Sequence, residues 1–341
     1  MYAKWIMSRA WAALAATGIA FLFATDSSAE VSDQSFALRN HNPFLHVFGL
    51  PPFQNAVLAS DGGIEYGISF DMANHAETED SPDEFVIIDG ESYFLSLSMR
   101  YRAKPWLEIG FDLPFISHSG GTFDQQIDSW HKIWGLTNSE RKGPRDQIHF
   151  FYDGMENGSY ELLSSASGIG DMQLTAAVPL FGSLENDKRA ITLRTSLKLP
   201  TGDSDTLLGS GAADLSLGLY VTDSTFTKLN LSLSGFVGVI LLGNGDVLPE
   251  LQERSVVFGG VSTTWQATER FGVTLQVNAQ TPYFDSDVEE LGGNSVQAAL
   301  GGSYRFRNSR YSLSIAIVED LFSNATTDVA LQVAVRAHEG Q

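Results

Sequence analysis

The chain has 341 residues, 43% of them hydrophobic, with a formal net charge of −20 and no cysteine. So acidic a chain is a poor partner for nucleic acid, and without cysteine there is neither a disulfide framework nor a thiolate metal site. Past the N-terminal region no apolar run reaches about 18 residues, which excludes a transmembrane helix in the rest of the chain.

Residues 1–29 have the layout of a secretory leader. Lys4 and Arg9 supply positive charge, Ala10 to Phe23 form a short apolar stretch, and Ser27-Ser28-Ala29 place small residues before a cleavage point after Ala29. Residues 30–62 precede any strand pattern and read as an N-terminal periplasmic or lumenal segment.

From Gly63 onward apolar and polar residues alternate with period two, the signature of strands with one apolar face. Ile64–Tyr66–Ile68–Phe70 opens the series. Tyr93–Leu95–Leu97–Met99–Tyr101 and Leu107–Ile109–Phe111–Leu113–Phe115 follow, then Leu174–Leu180, Ile191–Leu199, Leu215–Val221 and Leu229–Leu233. Val257–Trp265, Phe271–Ala279, Val296–Phe306, Tyr311–Ile317 and Val329–Val335 complete about twelve strands. Their connections alternate in length. Long ones are expected at 72–90, 116–165, 201–211, 243–253, 282–295 and 319–327, and short ones at 103–105, 184–188, 222–227, 267–269 and 308–309. A soluble sandwich, the competing fold, has no reason to gather every long loop at one end. An outer-membrane barrel does. Aromatics such as Trp106, Phe115, Phe271, Tyr304 and Tyr311 fall at strand ends, where interfacial girdles sit. The expected fold is therefore an all-β antiparallel transmembrane barrel over 63–336, with a tail at 337–341. The closing residues Val333–Gln341 lack the terminal aromatic common in such barrels.

Residues 116–165 are too long for a plain connection. Within them Phe123, Ile127, Trp130 and Trp134 recur at helical spacing, Thr122 and Gln125 resemble a capping box, and Gly135 is a stop. The spacing predicts a short amphipathic helix that plugs the lumen as a gate or lies on the loops outside it. By strand parity Arg100, Arg194, Lys198, Arg305 and Arg336 line the lumen, together with Glu108, Asp112, Asp171 and Asp214. A three-residue turn at 103–105 would set Arg100 opposite Glu108. Such charges either staple neighbouring strands or sort ions at a constriction.

His118 is the one catalytic candidate. Its place beside Ser119 resembles outer-membrane phospholipases, where a His activates a Ser nucleophile. Adjacent residues of an extended chain point to opposite sides, so the other serines to inspect are Ser164 and Ser165. No histidine spacing matches a metal motif, and no cofactor is implied. The carboxylates of 77–91 and of Asp285, Asp287, Glu289 and Glu290 are suited to divalent cations at a lipopolysaccharide surface, or only to solvation.

Three stretches, GIGDMQLTAAVPL (168–180), LKLPTGD (197–203) and GSGAADLSLGLY (209–220), resemble the exported phenol-degradation meta-pathway outer-membrane proteins. The longer layout, with NPFLHVFGLPPF near the N-terminus, resembles a related proteobacterial outer-membrane family known as a domain of unknown function. The resemblance implies a barrel passing small or hydrophobic solutes and supplies no catalytic residue. The leading expectation is an outer-membrane channel or uptake protein with a partly occluded lumen. The alternatives are a lipid-acting hydrolase and a non-transporting surface scaffold.

Overall fold

The computed structural model describes residues 35–121, 147–155, 157–182, 188–307, 310–321, 325 and 329–339. These form strands β1 (Ile64–Asp80), β2 (Glu84–Lys104), β3 (Leu107–Ser119), β4 (His149–Gly154), β5 (Gly158–Leu162), β6 (Ala166–Ile169), β7 (Gln173–Gly182) and β8 (Arg189–Lys198). They continue with β9 (Asp214–Phe226), β10 (Leu231–Leu241), β11 (Ser255–Gln266), β12 (Phe271–Gln280), β13 (Ser295–Arg305), β14 (Tyr311–Asp320) and β15 (Val329–Glu339). One helical turn, α1 (Glu289–Gly292), lies between β12 and β13.

Twelve strands close into a ring. Each pairs antiparallel with its neighbours from β1 through β2, β3 and β7–β15, and β15 returns to β1 with Ile64 opposite Glu339 and Asn74 opposite Val329. The twelve periodic segments of the sequence are these twelve strands. Their alternation decides the two surfaces. Outward residues such as Ile68 and Val261 are 52% and 62% exposed, while inward Ser92, Thr264 and Gln276 are fully buried. A particle dissolved in water would show the reverse preference.

Short connections gather at one end, here the turn end. There Asn230 takes a left-handed φ of 52°, a conformation asparagine tolerates, to stop the turn before β10. The other end, the loop end, departs from expectation. Residues 72–90 are not a loop: β1 and β2 run on through them to a tight turn at 81–83, with Glu79 opposite Val86. Strand alternation persists there: Val86 and Ile88 point inward and are fully buried, and the same face carries Glu79 and Glu77 opposite them and the buried Glu84. Part of the 116–165 insert is strand as well. β4 pairs with residues 84–89 of β2 and β5 pairs with β4, raising one side of the wall. The expected helix with Phe123, Ile127, Trp130 and Trp134 lies outside the described residues. β15 also runs three residues past the expected end of the barrel at 336.

β6 continues β7 along β3, with Phe115 opposite Ile169 and Asp112 opposite Gln173. Two residues of β3 thus face three of the other strand, a bulge that turns the chain at Asp171. The largest apolar cluster lies at the loop end rather than mid-barrel, and joins Phe44, Phe48, Val86, Phe150, Leu207 and Tyr283.

Candidate functional site: the filled lumen

Residues 35–62 have no strand partner, yet most of them are buried. A buried backbone must find donors and acceptors somewhere, and here they come from the inward side chains of the wall. The segment climbs beside β12 and β15. Gln276 presents its amide as a false strand, its Oε1 accepting from Phe36 N at 2.9 Å and its Nε2 donating to Phe36 O at 3.1 Å. Gln332 donates to Ala37 O at 3.1 Å, Arg336 donates to Ser35 O at 2.8 Å, and Asn40 donates to Ala325 O at 3.0 Å.

The apex is built locally. Asn40 and Asn42 accept from the amides of Asn42 and Phe44, the Asx geometry that lets these residues make turns. Pro43 fits because its missing N–H is not needed. Phe44 and Phe48 then bury their rings in the loop-end cluster, each worth about 1.5–3 kcal/mol by burial alone. From Gly49 the chain descends beside β8 and β9 to the turn end, where it enters β1.

The descending limb is held by charge. Lys198 Nζ lies 2.8 Å from Asp171 Oδ2 and 3.0 Å from Asp214 Oδ2, and donates to Val47 O at 2.7 Å and to Ser210 Oγ. Asp214 accepts from Gly49 N at 2.9 Å and from Gly243 N at 3.0 Å. Asp171 accepts from Gly202 N at 2.8 Å and from Ser210 N at 3.0 Å. Gly49 admits this approach, since a Cβ there would meet Asp214 Cβ at 2.9 Å. All three charged side chains are buried. The three stretches GIGD, LKLPTGD and GSGAAD, which in the sequence carry the family resemblance, thus meet in one ion cluster gripping the segment's backbone.

Nearer the turn end Glu108 pairs with Arg194 at 2.9 Å and accepts from Ala59 N at 2.8 Å. Arg194 also donates to Asn55 O at 3.0 Å. The hydroxyls of Thr192 and Thr222 bond the Ala56 carbonyl and amide. The expected partner of Glu108 is corrected. A bulge between Arg102 and Lys104 sets Arg102, not Arg100, opposite Glu108, and Arg102 donates to Ala59 O at 3.0 Å. Arg100 instead lies 3.7 Å from Glu65. Asp112 faces Arg39 of the segment at 3.8 Å. Arg305 is exposed at the turn end, away from the others.

His118 is joined not to Ser119, Ser164 or Ser165 but to Ser92, Nδ1 to Oγ at 2.9 Å, while His75 Nε2 approaches the same oxygen at 2.9 Å. His118 Nε2 lies 3.3 Å from Leu207 O, which can only accept. With neutral rings the direction follows: His75 donates to Ser92, Ser92 to His118, and His118 to Leu207. Ser92 thus gives its proton to His118, and His118 gives its own to the 199–213 loop, with all three side chains buried. His46 of the segment lies beside His118, with ring centres 5.3 Å apart and the rings tilted. Among the described residues no group of His, Asp and Glu is arranged to hold a metal.

Parity could place Glu108, Asp112, Arg194, Lys198 and Asp214 on the inner face, but could not say what they touch. For the segment's own Asn40, Asn42 and Gly49, and the wall's Arg102, Gln276 and Gln332, periodicity assigns no role. The available signal was an unpatterned run with two Asn, three Pro and three Phe between 40 and 53.

Residues 15–338 match the profile of a family described as "Protein of unknown function (DUF3187)". No curated protein matches the chain by sequence. Among solved structures, an outer membrane channel from Pseudomonas putida F1 superposes with a TM-score of 0.55 at 12% identity, covering 85% of this chain and all of that one. The NanC porin aligns at TM-score 0.45, with 8% identity over 80% of this chain and 98% of its own. The CymD monoaromatic hydrocarbon channel aligns at 0.39, with 10% identity over 82% and 89%. The first of these likenesses is a likeness of fold.

Proposed function

The chain belongs to the family described as "Protein of unknown function (DUF3187)", and from its ring and filled lumen we propose that it is an outer-membrane barrel for uptake of small uncharged or hydrophobic solutes, closed at rest by residues 35–62. Residues 1–29 serve as its export leader, and lipid surrounds the apolar outer face. The fold likeness to a solved outer membrane channel supports this reading. So does the resemblance of the three motif stretches to phenol-degradation outer-membrane proteins.

The observation that carries the reading is where the inward charges go. Arg194, Lys198, Glu108 and Asp214 all bond the segment's backbone. A water-filled ion pore would leave such charges facing its solvent. A barrel that must open for a solute needs a displaceable filling, and this one is a single strap anchored by side chains of the wall. The acidic residues Asp285, Asp287 and Glu289 at the loop end suit divalent cations bridging lipopolysaccharide.

Reconstitution tests the reading. Wild-type protein in planar bilayers is expected to conduct little, and a variant lacking residues 35–60 is expected to conduct as an open pore. A second deletion, of 123–134, separates any closure by that stretch. If the first variant keeps the heat-modifiable migration of a folded barrel and still passes neither ions nor neutral solutes, the reading is wrong.

A further inference from the structure

One sector of the inner wall breaks its polarity. Tyr220 of β9, Phe236 of β10 and Phe258 of β11 all point inward, where the flanking strands offer Ser, Thr and Gln. Tyr220 and Phe236 stack with ring centres 5.3 Å apart, and Phe236 and Phe258 lie 5.8 Å apart. Glycine makes the room: a Cβ on Gly238 would meet the Phe258 ring at 2.4 Å. Tyr283 and Phe284 carry the aromatic surface on to the loop end, where Phe48 of the N-terminal segment stacks on Tyr283 at 4.7 Å. Lower down, Phe53 of the segment meets Phe236 edge-on at 4.7 Å. The segment therefore lays its own apolar side chains along this strip.

Between them is a cavity of about 10 Å³, room for one water molecule. Leu50 of the segment closes one side, Phe236 and Phe258 another, and the amides of Asn278, Gln280 and Gln297 the third. None of its lining residues is charged. Gln280 is 7% exposed, and its Nε2 has no hydrogen-bond partner among the described residues. A buried amide donor without an acceptor is costly, and this one belongs to a residue that lines the cavity together with Phe236 and Phe258.

We propose that this strip is a solute-binding site, and that its ligand is a small uncharged aromatic molecule carrying one acceptor oxygen. The ring lies on Phe236 and Phe258 in the place now held by Leu50, and the oxygen accepts from Gln280 Nε2. The N-terminal segment is then an internal competitor for the site. The inference rests on the uptake reading above and adds the ligand class and the residues that select it.

The test uses full-length protein in lipid nanodiscs, with empty nanodiscs subtracted, and two probes, acetophenone and ethylbenzene. They share a ring of similar size and differ in the carbonyl oxygen. Wild type is expected to bind acetophenone about tenfold more tightly, the contribution of one hydrogen bond to a buried donor. Gln280→Leu is expected to erase that preference while still binding ethylbenzene. Leu50→Ala, which enlarges the cavity, is expected to tighten both probes, an outcome that misfolding would not produce. Equal binding of the two probes by wild type, or an unchanged preference in Gln280→Leu, overturns the site. Passage of neutral solutes through the 35–60 deletion without any preference in the binding assay overturns the site and leaves the uptake reading standing. Preference without passage does the opposite.

Discussion

Lys198 is one cation facing two carboxylates in a place without solvent. Its ammonium satisfies Asp171 and Asp214 and still has a proton for Val47 O. Replacing it leaves two buried like charges without a counterion, a loss of about 3–5 kcal/mol for a broken buried pair. Lys198→Met is therefore expected to lower the melting temperature in detergent and to raise bilayer conductance, because Asp214 also carries the Gly49 amide. Lys198→Met combined with Asp171→Asn and Asp214→Asn removes the stranded charges and is expected to regain much of the stability but not the closure. A single variant that melts and conducts like wild type would show that the cluster does not hold the segment. Glu108 belongs to the same class of residue, since its two oxygens serve Arg194 and the Ala59 amide separately.

Among the elements, the N-terminal segment is the one whose place depends entirely on others. It contributes no ladder and gains its order from wall side chains, so it can leave without breaking the ring. Sheet closure, by contrast, rests on the β1–β15 register and cannot open without losing a row of backbone bonds. The chain has no cysteine, so a pair introduced at Ala56 and Thr222, where hydroxyl and amide already touch at 3.0 Å, is the only thiol pair present. Oxidised, Ala56→Cys with Thr222→Cys is expected to abolish neutral-solute uptake into liposomes, and dithiothreitol is expected to restore it. Unchanged uptake by the oxidised pair would mean that the descending limb stays put while solute passes. Of this element's placement the sequence told little. Phe36 finds Gln276 across 240 positions, and Lys198 finds Val47 across 151. No local period encodes such distances. The β1–β2 hairpin is masked in the sequence for a different reason: seven carboxylates over 77–91 have the composition of a solvated loop, and the inward apolar positions there are only Val86 and Ile88.

For the whole molecule the question is the medium outside the ring. Leu217, mid-strand in β9, is 48% exposed beside buried Ser216. In lipid, Leu217→Arg costs about 2–4 kcal/mol near the bilayer centre. The variant is expected to insert poorly into liposomes and to be degraded in cells, whereas Val221→Thr, nearer the turn end, is expected to insert normally. If Leu217→Arg instead raises solubility without detergent and leaves assembly intact, water and not lipid surrounds the ring.

The sequence by itself determined the ring and the two natures of its wall. Period-two patterning acts between neighbours on one strand, so twelve strands, their inward and outward faces, and the side that gathers the long connections could be read residue by residue. Only the tertiary structure decided what fills the middle. An unpatterned segment has no preference of its own for lumen or solvent. Its position follows from inward groups on strands far apart in the chain, which close on one another only when the ring does.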